Sequence, residues 1–263
     1  MTADRHPFFS AAAPRVLAHR GLVSEPDASD GIAENTVAAV AAAQAIGIDI
    51  VESDCHLTSD GHVVLFHDDD LVRVADDPRR VDAVSLAELE SLMADKGGLL
   101  TLAQALETFP TLRFNLDVKS EQVADPLGRL IAPAADRVLV ASFSDARRRR
   151  ALAAAHDAGA TLRPATSAGT TTITKVLAAI AIGARSLAQR ALRGIDALQV
   201  PERQRGIPIV TPRLLSMAHS VGVEVHVWTI NDPSDMRRLV DAGVDGIVTD
   251  RGDLAVELFP RGR

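Results

Sequence analysis

Residues 48–70 read IDIVESDCHLTSDGHVVLFHDDD. The stretch holds two strand-like runs, 48–54 and 62–66, and the relation between them decides how many strands the chain has. The second run follows too closely for the helical crossover that a parallel neighbour requires, roughly a dozen residues or more. Asp60-Gly61 between the runs is a strong hairpin-turn signal. The second run is therefore an antiparallel return, expected to project above the sheet with Asp54 opposite His67, and it does not enter the parallel count.

Outward from this hairpin, short apolar runs at 16–19, 48–54, 113–119, 137–143, 161–165, 196–200, 224–230 and 245–249 alternate with helical patterns. Those patterns fall at 35–46, 85–93, 101–109, 121–131, 145–157, 172–192, 212–221 and 233–242. Strand, helix, strand, repeated eight times, predicts a closed parallel barrel ringed by helices. The competing doubly wound sheet would carry a GxGxxG after its first strand, and none is present. The expectation is an α/β chain forming one domain over 1–263, a TIM (β/α)8 barrel with a small β-hairpin at its C-terminal mouth after strand 2. Chains of this length routinely form single α/β barrels.

A formal charge of −7 argues against a nucleic-acid grip, which needs a basic face, although Arg147-Arg148-Arg149-Arg150 is a local basic run. The single cysteine, Cys55, excludes an intramolecular disulfide and a Cys-rich zinc framework, and fits a reducing compartment. MTADRHPFFSAAAPRV lacks a cationic start followed by a long apolar core, so it does not read as a secretory signal. The most apolar run, within 176–184, is about half of the ~20 residues that cross a bilayer. A cytoplasmic protein with at most peripheral membrane contact is expected.

In such a barrel, chemistry sits at the C-terminal ends of strands. The first strand ends in His19-Arg20, the second in Glu52-Ser53-Asp54, the third in Asp117-Val118-Lys119 and the seventh in Trp228-Thr229. Glu52 and Asp54 share one strand face, where two carboxylates repel unless a cation or proton lies between them. With Asp117 from the next strand they describe a hard-cation site for one Mg2+ or Ca2+. Alone, a Glu-x-Asp pair reads as an exposed acidic edge; its place between two histidine motifs favours metal. His19 and His67 are the acid–base pair, since imidazole changes charge near neutral pH. Arg20 and Lys119 supply positive charge for an anionic phosphoryl group. Trp228, the lone tryptophan, reads equally as ligand wall or core. His56 and His62 read as surface histidines, Asp69 and Asp70 as loop and capping residues, Cys55 as a packed small hydrophobe and Asn35 as a helix cap.

AHRG at 18–21, AENT at 33–36, VESDCHLTSDGHVVLFHD at 51–68, FNLDVK at 114–119, ASF at 141–143, VHVWTIND at 225–232 and GVDGIVTD at 243–250 together resemble the ordered motifs of glycerophosphodiester phosphodiesterases. The resemblance spans about residues 15–258. It implies a TIM-barrel hydrolase acting on phosphoric diester bonds, converting glycerophosphodiesters to sn-glycerol 3-phosphate and an alcohol with one divalent cation. By matching motif it assigns His19 and His67 to catalysis, Arg20 and Lys119 to phosphate, Trp228 to substrate, and Glu52, Asp54 and Asp117 to the metal. It also implies attack on phosphorus by the glycerol hydroxyl next to the phosphoester, followed by opening of a cyclic phosphate by water. Asp117 stands where the family usually has glutamate, and Ala33 where it has proline. VRVADDPRR at 72–80 replaces a threonine-bearing stretch, and the region before the third strand is expected to lack a substantial inserted subdomain. The alternatives are a lysophospholipase D or cyclising phospholipase-type phosphodiesterase, which would need an apolar groove near 173–184, and a non-catalytic phosphoester-binding protein.

Overall fold

The computed structural model describes residues 5–10 and 12–260; both ends of the expected 1–263 domain, and the first residues of the segment read as no secretory leader, lie outside them. Eight strands run parallel: β1 (Arg15–His19), β2 (Ile50–Leu57), β3 (Arg113–Val118), β4 (Val138–Ala141), β5 (Ala165–Thr166), β6 (Ala197–Pro201), β7 (Glu224–Trp228) and β8 (Gly246–Thr249). Their hydrogen-bonded order is β5-β4-β3-β2-β1-β8-β7-β6. At the seam, Ser167 bridges Ala197 in parallel, and the Asp196 N–H donates to the Thr166 carbonyl at 2.9 Å. Helices lie between the strands, as expected for a TIM barrel. No helix among the described residues is long and apolar enough to cross a membrane.

Side chains alternate across a strand, so one parity faces the barrel axis and the other the helices. On β1, Val16 and Ala18 pack outward into the main core, while Arg15, Leu17 and His19 form the inward series. Leu17, Ile50, Leu139, Ala165, Ala197 and Val248 fill the interior, and Phe8 and Phe9 join the same cluster from the turn Pro7–Phe9. Below them the fully buried Arg15 donates to both carboxylate oxygens of Glu224 at 2.7 and 2.8 Å. His226 Nε2 lies 2.8 Å from Glu224 Oε2, and burial, then Arg15, hold this imidazole down to about 3. Gly246 makes room for it, since a Cβ there would stand 2.7 Å from the His226 ring.

The hairpin after β2 forms, with a different register. Cys55, His56 and Leu57 pair with Leu65, Val64 and Val63, and the Phe66 N–H bonds the Asp54 carbonyl. Asp54 therefore faces Phe66, not His67. The turn is one residue longer than expected because Thr58 organises it: its hydroxyl accepts from His62 N–H at 3.0 Å and donates to Asp60 at 2.6 Å, with Gly61 left-handed. The segment that follows is less bare than expected. Val64, Phe66, Leu71, Val81, Val84, Leu89, Met93 and Leu99 form a separate buried cluster over the barrel edge.

Two helix expectations also change. Thr36, not Asn35, caps Val37–Ala45, its hydroxyl accepting from Ala39 N–H. The expected helix over 172–192 is two, Thr170–Ala181 and Arg185–Ala191, broken at the left-handed Gly183. Asp70 lies in the short strand Asp70–Leu71 and accepts from Val72 N–H, but the N-cap of Val72–Ala75 is Leu71, without a side-chain cap; Cys55 is fully buried in the core.

Glu224 neutralises a guanidinium that has no access to water, so Glu224→Ala should cost about 3–5 kcal/mol. Urea unfolding checks this; a loss under about 1 kcal/mol, the range of an exposed pair, would refute it.

Candidate active site

The strand register brings the strand-end residues of the first three strands together. His19 on β1 lies beside Glu52 on β2, Glu52 beside Asn115 on β3, and Asp54 beside Asp117. All share inward parity. One cavity of about 510 Å3 is lined by His19, Arg20, Glu52, Asp54, His67, Asp117, Lys119 and Trp228, so every residue singled out for chemistry from the sequence reaches the same space. Its other half is apolar: Phe143, Ile173, Leu177, Ile209 and Trp228 line it. Trp228 meets Phe143 edge-on, centroids 6.1 Å apart at 84°. Phe143 is 62% exposed, which leaves that wall open to the outside.

Carboxylates set the electrostatics. Lys119 Nζ lies 2.7 Å from Asp54 Oδ1 and 3.1 Å from Asp117 Oδ2. Burial would lower the Lys119 pKa, but these two carboxylates hold it above the ordinary value. Arg147, on the helix Asp145–Asp157 that follows β4, donates to the Lys119 backbone carbonyl and holds the backbone there. Arg20, in a left-handed conformation at the end of β1, places Nε 3.2 Å from Asp54 Oδ2 and donates from Nη1 to Glu34 at 2.8 Å. Glu52 is pushed well above the usual carboxylate range by burial, and further by Asp54 and Asp117. Burial also raises Asp117, with Lys119 opposing.

As they stand, no three His, Cys, Asp or Glu side chains among the described residues are gathered closely enough to hold a metal ion. The ammonium of Lys119 takes up the charge of Asp54 and Asp117 instead. Yet Glu52 Oε2, Asp54 Oδ2 and Asn115 Oδ1 are buried acceptors without a hydrogen bond. Buried oxygens left unsatisfied on adjacent strands suit a cation of oxygen-seeking type, and the donor chemistry fits Mg2+ or Ca2+.

Each of the two cavity histidines has a carboxylate at its Nδ1. His19 Nδ1 is 2.6 Å from Asp250 Oδ1, leaving Nε2 3.9 Å from Glu52 Oε2. His67 Nδ1 is 2.6 Å from Asp68 Oδ1. Asp250 is itself held by the Asn231 amide at 2.8 Å. Burial would raise Asp250, but the bonds from His19 and Asn231 bring it below the usual range.

His56 is not a surface residue: it is 6% exposed, and its Nε2 sits 3.2 Å from the His67 carbonyl, pinning that backbone. Burial lowers its pKa, against the opposing bond to His67. His62 is exposed, as expected. Asn35 is buried with a left-handed backbone, its Oδ1 accepting from Ser53 at 2.6 Å beneath Glu52 and Asp54. Sequence reasoning missed Asn115, Asp250 and Asp68 as site residues. Parity on the third strand pointed to Asn115, and the dipeptide His67-Asp68 to Asp68; Asp250 lies 231 positions from its partner and gave no local signal.

The model of the glycerophosphoryl diester phosphodiesterase family matches residues 19–254. A probable glycerophosphodiester phosphodiesterase 2 of Mycobacterium tuberculosis is 36% identical over 241 residues, covering 90% of this chain and 88% of the relative. Two solved structures share the fold. A Thermotoga maritima glycerophosphodiester phosphodiesterase superposes with TM-score 0.65 at 24% identity, covering 92% of this chain and 97% of the other. An Oleispira antarctica phosphodiesterase in complex with the product sn-glycerol-3-phosphate superposes with TM-score 0.70 at 24% identity, covering 94% and 96%. The chain belongs to the glycerophosphoryl diester phosphodiesterase family and is a hydrolase acting on phosphoric diester bonds.

Proposed function

We propose that the protein hydrolyses small glycerophosphodiesters to sn-glycerol 3-phosphate and an alcohol, with His19 and His67 as the acid–base pair. The observation that carries the reading is two carboxylate-oriented imidazoles in one cavity with three acidic and two cationic side chains. Glu52 and Asp54 would hold the divalent ion, with the Asn115 amide oxygen beside them. Asp117 would join when Lys119 turns from it to the phosphate. The ion supplies charge neutralisation at the phosphoryl oxygens. Arg20 and Lys119 bind the same group and are already poised by Asp54. With Nδ1 of each imidazole held by Asp250 or Asp68, Nε2 is the atom that exchanges a proton with substrate.

The glycerol hydroxyl next to the phosphoester attacks phosphorus and loses its proton to one histidine. The bond to the alcohol breaks as the other histidine protonates the departing oxygen. Water then adds to the cyclic phosphate with the two roles reversed, which restores both imidazoles. Glycerophosphocholine, -ethanolamine, -glycerol and -inositol, each with Mg2+ and with Ca2+, form the direct test; no turnover of any would overturn the reading.

A second reading, a lysophospholipase D or cyclising phosphodiesterase, is favoured by the apolar wall of Ile173 and Leu177, which fall in the region where an acyl groove was expected. If it holds, Leu177→Asp lowers kcat/KM for lysophosphatidylcholine about tenfold or more while glycerophosphocholine turnover stays. Equal effects on both would dismiss it, and phosphorus NMR identifies a retained cyclic product.

His19→Ala and His67→Ala should each reduce kcat by about 100-fold or more with folding intact. Near-normal rates in either variant would sink the acid–base assignment.

Glu52 binds its proton more tightly in the fold than at its ordinary 4.5. Its contribution to stability is full below that value and is lost as pH rises through the raised one. In chelator the wild type should lose Tm over this rise relative to Glu52→Gln, and Mg2+ or Ca2+ should restore wild-type Tm and activity at neutral pH. Parallel Tm curves, or turnover indifferent to chelator, would remove the ion from Glu52.

A further inference from the structure

Arg73 lies on the one-turn helix Val72–Ala75, inside the stretch VRVADDPRR that departs from the family's usual pattern. Its Nε donates to Asp68 Oδ2 at 2.6 Å, and its Nη2 donates to Glu34 Oε1 at 2.6 Å. Asp68 uses its other oxygen on His67 Nδ1, and Glu34 uses the same oxygen to accept from Arg20 at 2.8 Å. One planar guanidinium thus stands behind an imidazole of the cavity and behind its arginine. The backbone that carries Arg73 is fixed: Leu71 is fully buried in the cluster beside the hairpin, the Asp70 carboxylate accepts from Val72 N–H, and the strands Asp70–Leu71 and Asp77–Arg80 pair around the helix.

We propose that Arg73 is a positioning residue for phosphodiester hydrolysis, a tether that holds Asp68 against His67 and Glu34 against Arg20 so that both keep one geometry about the phosphate. The inference rests on the reading that His67 and Arg20 serve the reaction. Arginine suits the place because two carboxylates from different loops are met by two donors fixed in one rigid fork, Nε and Nη2, which an ammonium cannot reproduce. Asp68 would otherwise rotate about its own side chain and carry the imidazole with it. Hydrogen bonds from Arg73 and His67 outweigh burial and keep Asp68 below the usual carboxylate range, consistent with an anion shared between them. Arg73 is about half exposed, and an exposed ion pair contributes little to folding, so its removal leaves the barrel intact. A second cavity of about 350 Å3, lined by Arg73, Glu34, Asp250 and His19, gives small solutes access to the tether.

Arg73→Ala should lower kcat about tenfold on whichever glycerophosphodiester the wild type turns over, with KM within about twofold. Arg73→Lys should lose nearly as much. Guanidinium added to Arg73→Ala should recover part of kcat through the second cavity, and should do nothing for the wild type. Because Arg73 acts through Asp68 and Glu34 together, adding Arg73→Ala to the combined Asp68→Asn, Glu34→Gln variant should lower kcat by no more than about twofold beyond that combination alone. Wild-type kcat in Arg73→Ala, or losses that multiply on that combined background, would overturn the tether. Normal turnover in His67→Ala would instead overturn the reading of His67, and the tether with it; loss in His67→Ala with none in Arg73→Ala overturns the tether alone.

Discussion

Negative charge drawn into a barrel mouth is the constraint around which this molecule is arranged. Glu52, Asp54 and Asp117 come from two hydrogen-bonded parallel strands with the same inward parity, so the fold itself forces them together. Such a group is tolerable only with protons or cations between its members. The chain applies both remedies: Glu52 is driven toward its protonated form, and Lys119 and Arg20 face Asp54 from the third and first strands. Cationic side chains that neutralise the carboxylates at rest are also the ones a phosphate would take over, so one set of charges serves the empty and the occupied cavity.

The opposite end of the barrel answers the same physics differently. Arg15, Glu224 and the neutral His226 form a buried polar group beside Phe8 and Phe9, its carboxylate paired with Arg15 and, from the surface, with Arg5. There, every acceptor of Glu224 has a donor; at the mouth, oxygens of Glu52, Asp54 and Asn115 do not. The contrast separates a polar cluster built to stay closed from one built to receive something.

Much of this was legible in the chain. Short apolar runs alternating with helical patterns give the eight strands, and barrel geometry directs attention to their C-terminal ends. Glu52, Asp54 and Asp117 converge because strand neighbours and parity are local properties. What escaped depends on distances the sequence does not encode. The hairpin slipped by one residue because the Thr58 hydroxyl, not the Asp60-Gly61 dipeptide, sets the turn. His67 still enters the cavity because pairing ends at Leu65 and the chain is free to turn, with His56 holding its carbonyl. His56 is buried because the hairpin pairs it with Val64, itself part of a cluster reaching to Leu99, and the His67 carbonyl turns back onto its ring.

The departures from the family pattern take on meaning in that light. Asp117 is a methylene shorter than the usual glutamate, and Lys119 closes on it at 3.1 Å. One inward step below it on β3, the Asn115 oxygen lies beside Glu52 and without a donor. On the proposed reading, the Asn115 amide oxygen would stand beside Glu52 and Asp54 as a ready ligand while Asp117 is paired with Lys119. An amide carries no charge, so an ion held this way keeps more of its positive charge for the phosphoryl oxygens, and is held less tightly for the same reason. On that reading, aspartate at 117 would trade affinity for the ion against its pull on the substrate.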